Sequence, residues 1–297
     1  SPPEVGPRID NSAFNLNMGF VNIGNLDKSP YYFTAGQLYV PFGKYSSSMI
    51  SASIPMNLSR TKTRPFILGY KSQDSSGPFA AVYVFKSDTI YDGTGVGGAN
   101  LGYIFERDKL NAEVGISYIG SIADAAGMQS TGSTFGTTFA GFGSPFNGSE
   151  NVRRTAAADV HANLSYDRFN FAAEWVSVTE RFRVQDLSYN YQGAKPQAGQ
   201  LEASMTFKVF KKPSSIGVGY QWSREALALN LPRQRWSSVF NISIWKDTVE
   251  SIEYTHDMNY GVYNVANGAS PVGTVNANTI GTGGAADTLS AQIGVYF

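Results

Sequence analysis

Apolar and polar residues alternate with a period of two along most of this chain, the signature of extended strands with one greasy and one wet face. The segment LNAEVGISYIG (110–120) is the clearest interior case. Leu110, Ala112, Val114, Ile116 and Tyr118 fall on one side, with Asn111, Glu113 and Ser117 opposite. The final residues, DTLSAQIGVYF, repeat the pattern: Leu289, Ala291, Ile293, Val295 and Phe297 share a face, and Ser290, Gln292 and Gly294 take the other. Read in this way, the pattern predicts about 14 strands, with 12 or 16 also compatible. They cover 13–23, 31–41, 48–59, 63–72, 78–87, 99–107, 110–120, 154–166, 169–180, 201–210, 215–225, 235–246, 248–258 and the C-terminal segment. The stretch 41–63 also reads as a folded-in loop in place of a turn and a strand.

The connectors between these strands alternate in length. Short turns fall at Arg107–Lys109, Asp167–Arg168, Lys211–Pro213 and Lys246–Asp247, while long connectors fall near 88–98, 121–152, 181–199, 226–233 and 259–286. Outer-membrane barrels show this asymmetry, with short periplasmic turns and long external loops. A soluble sandwich has no reason to gather its long loops at one end. The expected fold is therefore all-β, an antiparallel transmembrane β-barrel of the Gram-negative outer membrane. Residues 1–297 form a single barrel domain, with 1–12 as a lead-in and 121–152 as the longest external or constriction loop. If both termini are periplasmic the strand number is even, and the last strand closes against 13–23 to hide both edges.

Composition sharpens this picture. The chain has 297 residues, formal net charge zero, 15% charged residues, 17 Tyr, 19 Phe and 31 Gly, a balance suited to a wall that meets lipid. No apolar run is long enough for a transmembrane helix. The opening SPPEVGPRID has no signal-peptide pattern, so any such peptide is expected to have been removed already. Zero cysteines argue against a disulfide scaffold, a thiolate metal site and a cysteine nucleophile. Zero net charge offers nothing for nucleic-acid binding. No cofactor and no metal is expected.

The polar faces assign a lumen. Its expected lining includes Asn15, Asn17, Asn111, Glu113, Asp159, His161, Glu174 and Lys208, because an ionised residue facing lipid costs several kcal/mol. Basic residues cluster towards the expected extracellular half. Arg60, Lys62 and Arg64 recur at a spacing of two, Arg181 and Arg183 repeat it, and Arg153 and Arg154 follow the longest loop. Guanidinium groups pair bidentately with carboxylate or phosphate. These seven residues could capture an anionic solute at the mouth, or bind lipopolysaccharide phosphates, or solvate loop bases. Catalysis is not expected. Only His161 and His256 could act as a base near neutral pH. Asp159 and His161 resemble half of an omptin protease site, and the other half has no clear match.

The stretch YYFTAGQLYVPFGKYSSSMISAS (31–53), followed by LSRTKTRPFILGYKS and FAAVYVFKSD, resembles the LbtU-type siderophore porins of Legionella and Francisella relatives. Residues 13–120 carry most of that resemblance, and its AGQLYVPFG block is also similar to a strand of phosphate-selective porins. Members usually carry an N-terminal periplasmic or coiled-coil extension, so this chain is expected to be the barrel part or a shorter relative. The resemblance implies passive or facilitated uptake of a ferric carboxylate siderophore across the outer membrane. A general or phosphate-preferring porin is the alternative, followed by a structural or adhesive barrel and an outer-membrane hydrolase. Expected partners are outer-membrane lipid and lipopolysaccharide, a small anionic solute, and the barrel assembly machinery, which reads Phe297.

Overall fold

A computed structural model describes residues 17–87, 89, 95–129, 142, 153–184, 186–268 and 280–296. In chain order its strands are β1 (Gly19–Ile23), β2 (Tyr31–Tyr39), β3 (Lys62–Thr63), β4 (Phe66–Lys71), β5 (Gly77–Lys86), β6 (Gly95–Arg107), β7 (Leu110–Ile119), β8 (Ala157–Tyr166) and β9 (Phe169–Val178). They continue with β10 (Leu187–Tyr189), β11 (Gln192–Gly193), β12 (Gln197–Val209), β13 (Lys212–Arg224), β14 (Gln234–Ile242), β15 (Thr248–Met258), β16 (Ala266–Gly268) and β17 (Ala285–Val295). Two short helices, α1 (Ile54–Ser59) and α2 (Ala126–Gln129), lie in the connectors.

The main sheet is 14-stranded: β1, β2, β4 to β9, β12 to β15 and β17 pair each with the next, and β3 pairs with β2 off that path. Every pairing is antiparallel. Tight turns such as Asp108–Lys109 and Asp167–Arg168 are set by Asp108 and Asp167 in the left-handed region, at φ 49° and 53°. Aspartate tolerates that region better than most side chains. The long connectors emerge at the opposite end, as the sequence predicts. Strands β10, β11 and β16, drawn from two of them, form a separate small sheet there.

The wall is apolar on its outside. Val114, Ile116 and Tyr118 on β7 are 53%, 55% and 48% exposed, whereas Ser117 between them is 5% exposed. Phe66 and Leu68 on β4, Val82 and Val84 on β5, Leu201 on β12, Val218 on β13 and Leu289 and Ile293 on β17 are also exposed. A contiguous exposed apolar surface of this kind belongs in lipid.

Chain length shows that the sheet is rolled. Ile50 and Ser51 bond to Glu253 on β15, yet Lys62 pairs with Tyr39 on β2. In a flat sheet the ten spacings from β2 to β15 would measure roughly 48 Å. The chain between Ser51 and Lys62 holds α1 and about five extended residues, with a reach of roughly 26 Å. Both contacts exist together only if the sheet curls around the 40–61 segment. The molecule is a barrel with chain inside it.

Two sequence expectations are corrected here. The stretch 48–59 is not a strand. Pro55 stands in the first turn of α1, the side chain of Ser53 caps it by accepting from the Met56 N–H at 3.3 Å, and both favour a helix start. The folded-in alternative is the one found. The closing pair also differs. The main path holds an odd number of consecutive strands, so β1 and β17 run in the same direction, and no ladder joins them among the described residues. Phe297 and the first part of the 13–23 strand, with Asn15, lie outside the described residues. The remaining expected strands match observed ones to within a few residues.

The outward face predicts a depth-dependent penalty. Ile116→Arg should lower stability by about 2–4 kcal/mol in a bilayer. Asn163→Asp, on the inner face, should cost far less. Urea titration of the barrel folded in lipid vesicles, followed by tryptophan fluorescence, measures both.

Candidate functional site: a segment held inside the barrel

The segment between β2 and β3 has no ladder partners for residues 43–54, and its backbone groups go to inward side chains of the wall. The Gly43 N–H donates to Ser117 Oγ on β7 at 2.9 Å. Both oxygens of Glu174 on β9 are taken, by the N–H groups of Lys44 at 2.8 Å and Tyr45 at 2.6 Å. On β12, Gln200 donates to the Ser46 carbonyl at 3.0 Å, and Glu202 accepts the Ser48 N–H and hydroxyl and the Ser47 hydroxyl. Glu253 on β15 accepts the N–H groups of Ile50 and Ser51 and the Ser51 hydroxyl. The chain then turns back. Arg235 on β14, paired with Asp257, donates to the Ala52 carbonyl at 3.4 Å, and Gln221 on β13 accepts the Ile54 N–H at 2.7 Å.

The segment thus travels around the inner wall from β7 to β15 and returns. Buried backbone donors need acceptors, and charged acceptors make the stronger bonds. Gly43 is required at the entry: its φ is +74°, and a Cβ there would sit 2.7 Å from Glu174 Oε1.

The return is apolar. Ile54 and Leu58 of α1 are fully buried in a cluster with Ile122, Met128 and Phe142, backed by Ile67, Tyr83, Phe85, Val96 and Ile119 from the inner faces of β4 to β7. Helix α2 rests against α1 through a bond from the Ala126 N–H to the Arg60 carbonyl at 3.0 Å. Gly127 permits that approach, since a Cβ would lie 1.9 Å from the Asn57 carbonyl oxygen. Of the 121–152 loop expected as a constriction, only this start and Phe142 lie among the described residues. They pack inward with α1.

Beneath the entry lies a buried polar cluster. His161 Nδ1 meets Asp159 Oδ1 at 2.9 Å, Ser117 Oγ donates to the same oxygen at 3.1 Å, and His161 Nε2 is 3.8 Å from Glu113. Lys44 Nζ bonds Glu113 at 2.9 Å. Asp159, His161 and Glu174 each present a ligand atom within 4.8 Å of the other two.

The remaining expected residues scatter. Asn111 sits exposed near the short turns, and Lys208 is exposed towards the same end of β12. Arg153 pairs with Glu180 at 2.6 Å. Arg181 grips Glu225 with two bonds, at 2.8 and 3.1 Å. Arg154 is half-buried and Arg183 exposed. Arg60, Lys62 and Arg64 do share one side, but it is the outward one. Thr61, Thr63 and Ile67 are buried in step between them and the exposed Phe66 and Leu68. Arg60 lies 3.6 Å over the Tyr39 ring, and Lys62 bonds Asn17 Oδ1 at 2.9 Å. Asn17 therefore meets a cation outside the wall and does not line the lumen. Sequence reasoning overlooked Lys44, Glu253 and the Arg235–Asp257 pair. The alternation of Ile252 and Tyr254 around Glu253 was the available signal.

Rolled antiparallel wall, apolar exterior and polar interior together define an antiparallel transmembrane β-barrel of the bacterial outer membrane. Among known proteins the chain is similar to the UPF0422 protein lpl2888 of Legionella pneumophila (strain Lens), at 67% identity over 298 residues, covering all of this chain and 56% of that protein. It is also similar to a UPF0422 protein of Coxiella burnetii, at 35% identity over 295 residues, covering 97% of this chain and 60% of that protein. The chain thus spans little more than half the length of these relatives. No protein-family model matches it. Of solved structures, the outer membrane channel DcaP of Acinetobacter baumannii aligns with 88% of this chain and 72% of its own, at 12% identity and TM-score 0.47. OmpT, an outer membrane protein of Vibrio cholerae, aligns with 88% of this chain and 75% of its own, at 10% identity and TM-score 0.39. The barrel stands on pairing, facing and the enclosed segment, independently of these two likenesses.

Removing one staple should loosen the segment. Glu253→Ala leaves two backbone donors without their acceptor and should cost about 2–3 kcal/mol, measured by chemical unfolding.

Proposed function

We propose that this protein is an outer-membrane channel that passes small anionic solutes, with a ferric carboxylate siderophore as its cargo. The observation that carries the anion preference is the engagement of the wall carboxylates. Glu174, Glu202 and Glu253 are spent on N–H and O–H donors of the inserted segment, and Glu113 is paired with Lys44. These carboxylates are thereby held against the wall and the inserted segment, while the Lys44 ammonium, paired with Glu113, keeps its side chain 45% exposed. Below the segment a cavity of about 350 Å³ is lined mainly by hydroxyl and amide side chains, among them Ser46, Asn163, Ser204 and Thr206, together with Phe171 and the segment-bound carboxylate of Glu202. The siderophore itself comes from the resemblance of residues 31–53 to siderophore porins, and the curated relatives add no substrate.

The reading is non-enzymatic. Asp159 and His161 are 1% and 2% exposed, so neither side chain is presented to a substrate in the lumen. The outward ladder of Arg60, Lys62 and Arg64 has a different role in this proposal. It sits just beyond the lipid-facing Phe66 and Leu68 at the long-loop end, where phosphates of lipopolysaccharide lie, and it anchors the barrel there.

Bilayer recordings in a salt gradient test the channel. The parent should prefer anions, and Lys44→Glu should move the reversal potential towards cation selectivity. Reversing Arg60, Lys62 and Arg64 together should leave it unchanged. A barrel giving no conductance would overturn the channel in favour of a closed structural barrel. Liposome uptake that favours phosphate over a ferric carboxylate siderophore would replace the cargo with that of a phosphate-preferring porin.

A further inference from the structure

The cluster beneath Gly43 holds more negative charge than its neighbours neutralise. Three carboxylates, Asp159, Glu174 and Glu113, meet one ammonium, Lys44, and one imidazole, His161. Asp159 and Glu174 are 1% and 4% exposed. Buried like charges are costly unless protons or a cation offset them. Two atoms here also lack any hydrogen-bond partner, Asp159 Oδ2 and His161 Nε2. A fully buried carboxylate oxygen with an open lone pair, set among two further ligand-bearing side chains, is the environment a cation requires.

We propose that Asp159, His161 and Glu174 bind one divalent transition-metal cation at the junction of β8, β9 and the inserted segment. The donor set is one imidazole and two carboxylates, which suits zinc, iron(II) or manganese rather than a hard all-oxygen ion such as calcium. The spacing fits. His161 Nδ1 and Asp159 Oδ1 are 2.9 Å apart in a hydrogen bond, and two ligands about 2.1 Å from one ion at a right angle lie about 3 Å apart. The ion would thus replace the shared proton, which leaves to solvent. Glu174 closes the set from the adjacent strand within the 4.8 Å spread. Around these ligands stands an orienting shell: Ser117 donates to Asp159, and the amides of Lys44 and Tyr45 hold both oxygens of Glu174. The ion would fasten the start of the inserted segment to the wall, because Glu174 serves both. This inference does not depend on which solute the channel carries.

The test uses the whole chain folded in detergent, stripped with EDTA, desalted, and loaded with zinc or manganese(II) alone. Mass spectrometry should find about one equivalent retained, and titration calorimetry should show Asp159→Asn and His161→Gln binding more than about tenfold more weakly. Heat-modifiable migration on a gel reports whether each variant is folded. If a variant does not fold, X-ray absorption of the loaded parent decides. Imidazole scattering with mixed nitrogen and oxygen ligands supports the site. Overturning outcomes are a parent that retains no metal, affinity unchanged in the folded variants, or a spectrum of an all-oxygen ion.

Discussion

The interaction on which this architecture depends is the capture of backbone N–H groups by inward carboxylates. Irregular chain inside a membrane barrel is tolerated only where each polar backbone group is satisfied by protein or water. Residues 43–53 are neither helix nor ladder, so their donors must be met from the wall. Glu174, Glu202 and Glu253 do this from three separate strands, each accepting at least two bonds. An anionic acceptor makes a shorter and stronger bond than a neutral one. Glu174, which looks from the sequence like lumen lining, is thereby a structural fastener.

The inner wall is divided to match. Helix α1 lies against β9, β12, β13 and α2. Its Ile54 and Leu58 join a buried apolar cluster that takes Ile67, Tyr83, Phe85 and Ile119 from β4 to β7 and Val176, Val178 and Ala198 from β9 and β12. Strands β9 and β12 to β15 present Glu, Gln and Arg to the extended part of the segment. The helix follows the extended run, so one segment meets polar and apolar parts of the wall in turn. The exterior has no such division, since lipid asks the same of every strand. Two solvents, one on each side, account for nearly every side chain of the wall.

How far the sequence could be read follows from this. Period-two alternation located β7, β8, β9 and β17 within a few residues, because lipid on one side imposes it without exception. The inner face obeys a weaker rule. It needs only to fit what lies against it, and SMISASIPMNLS carries enough alternation to pass for another strand. Pro55 and the Ser53 cap were the contrary signals. The ladder of Arg60, Lys62 and Arg64 was legible as a ladder, but which side it faced depended on pairing Lys62 with Tyr39, a contact no local pattern contains. Asp159 and His161 could be placed on one face by their spacing. Their convergence with Glu174 and Lys44 required the register of β8 on β9 and the return of a distant loop.

The order of synthesis gives the stapled segment one more property. Its bonds reach forward by 130 residues to Glu174, 154 to Glu202 and 202 to Glu253. The chain that fills the barrel is thus made long before the wall that holds it. Contacts so distant along the chain form late, after the intervening strands have ordered. Until β15 arrives, the amides of Ile50 and Ser51 have only water. Docking of the segment is therefore completed only with the circumference, and a barrel that stops short of β15 leaves Ile50 and Ser51 unfastened.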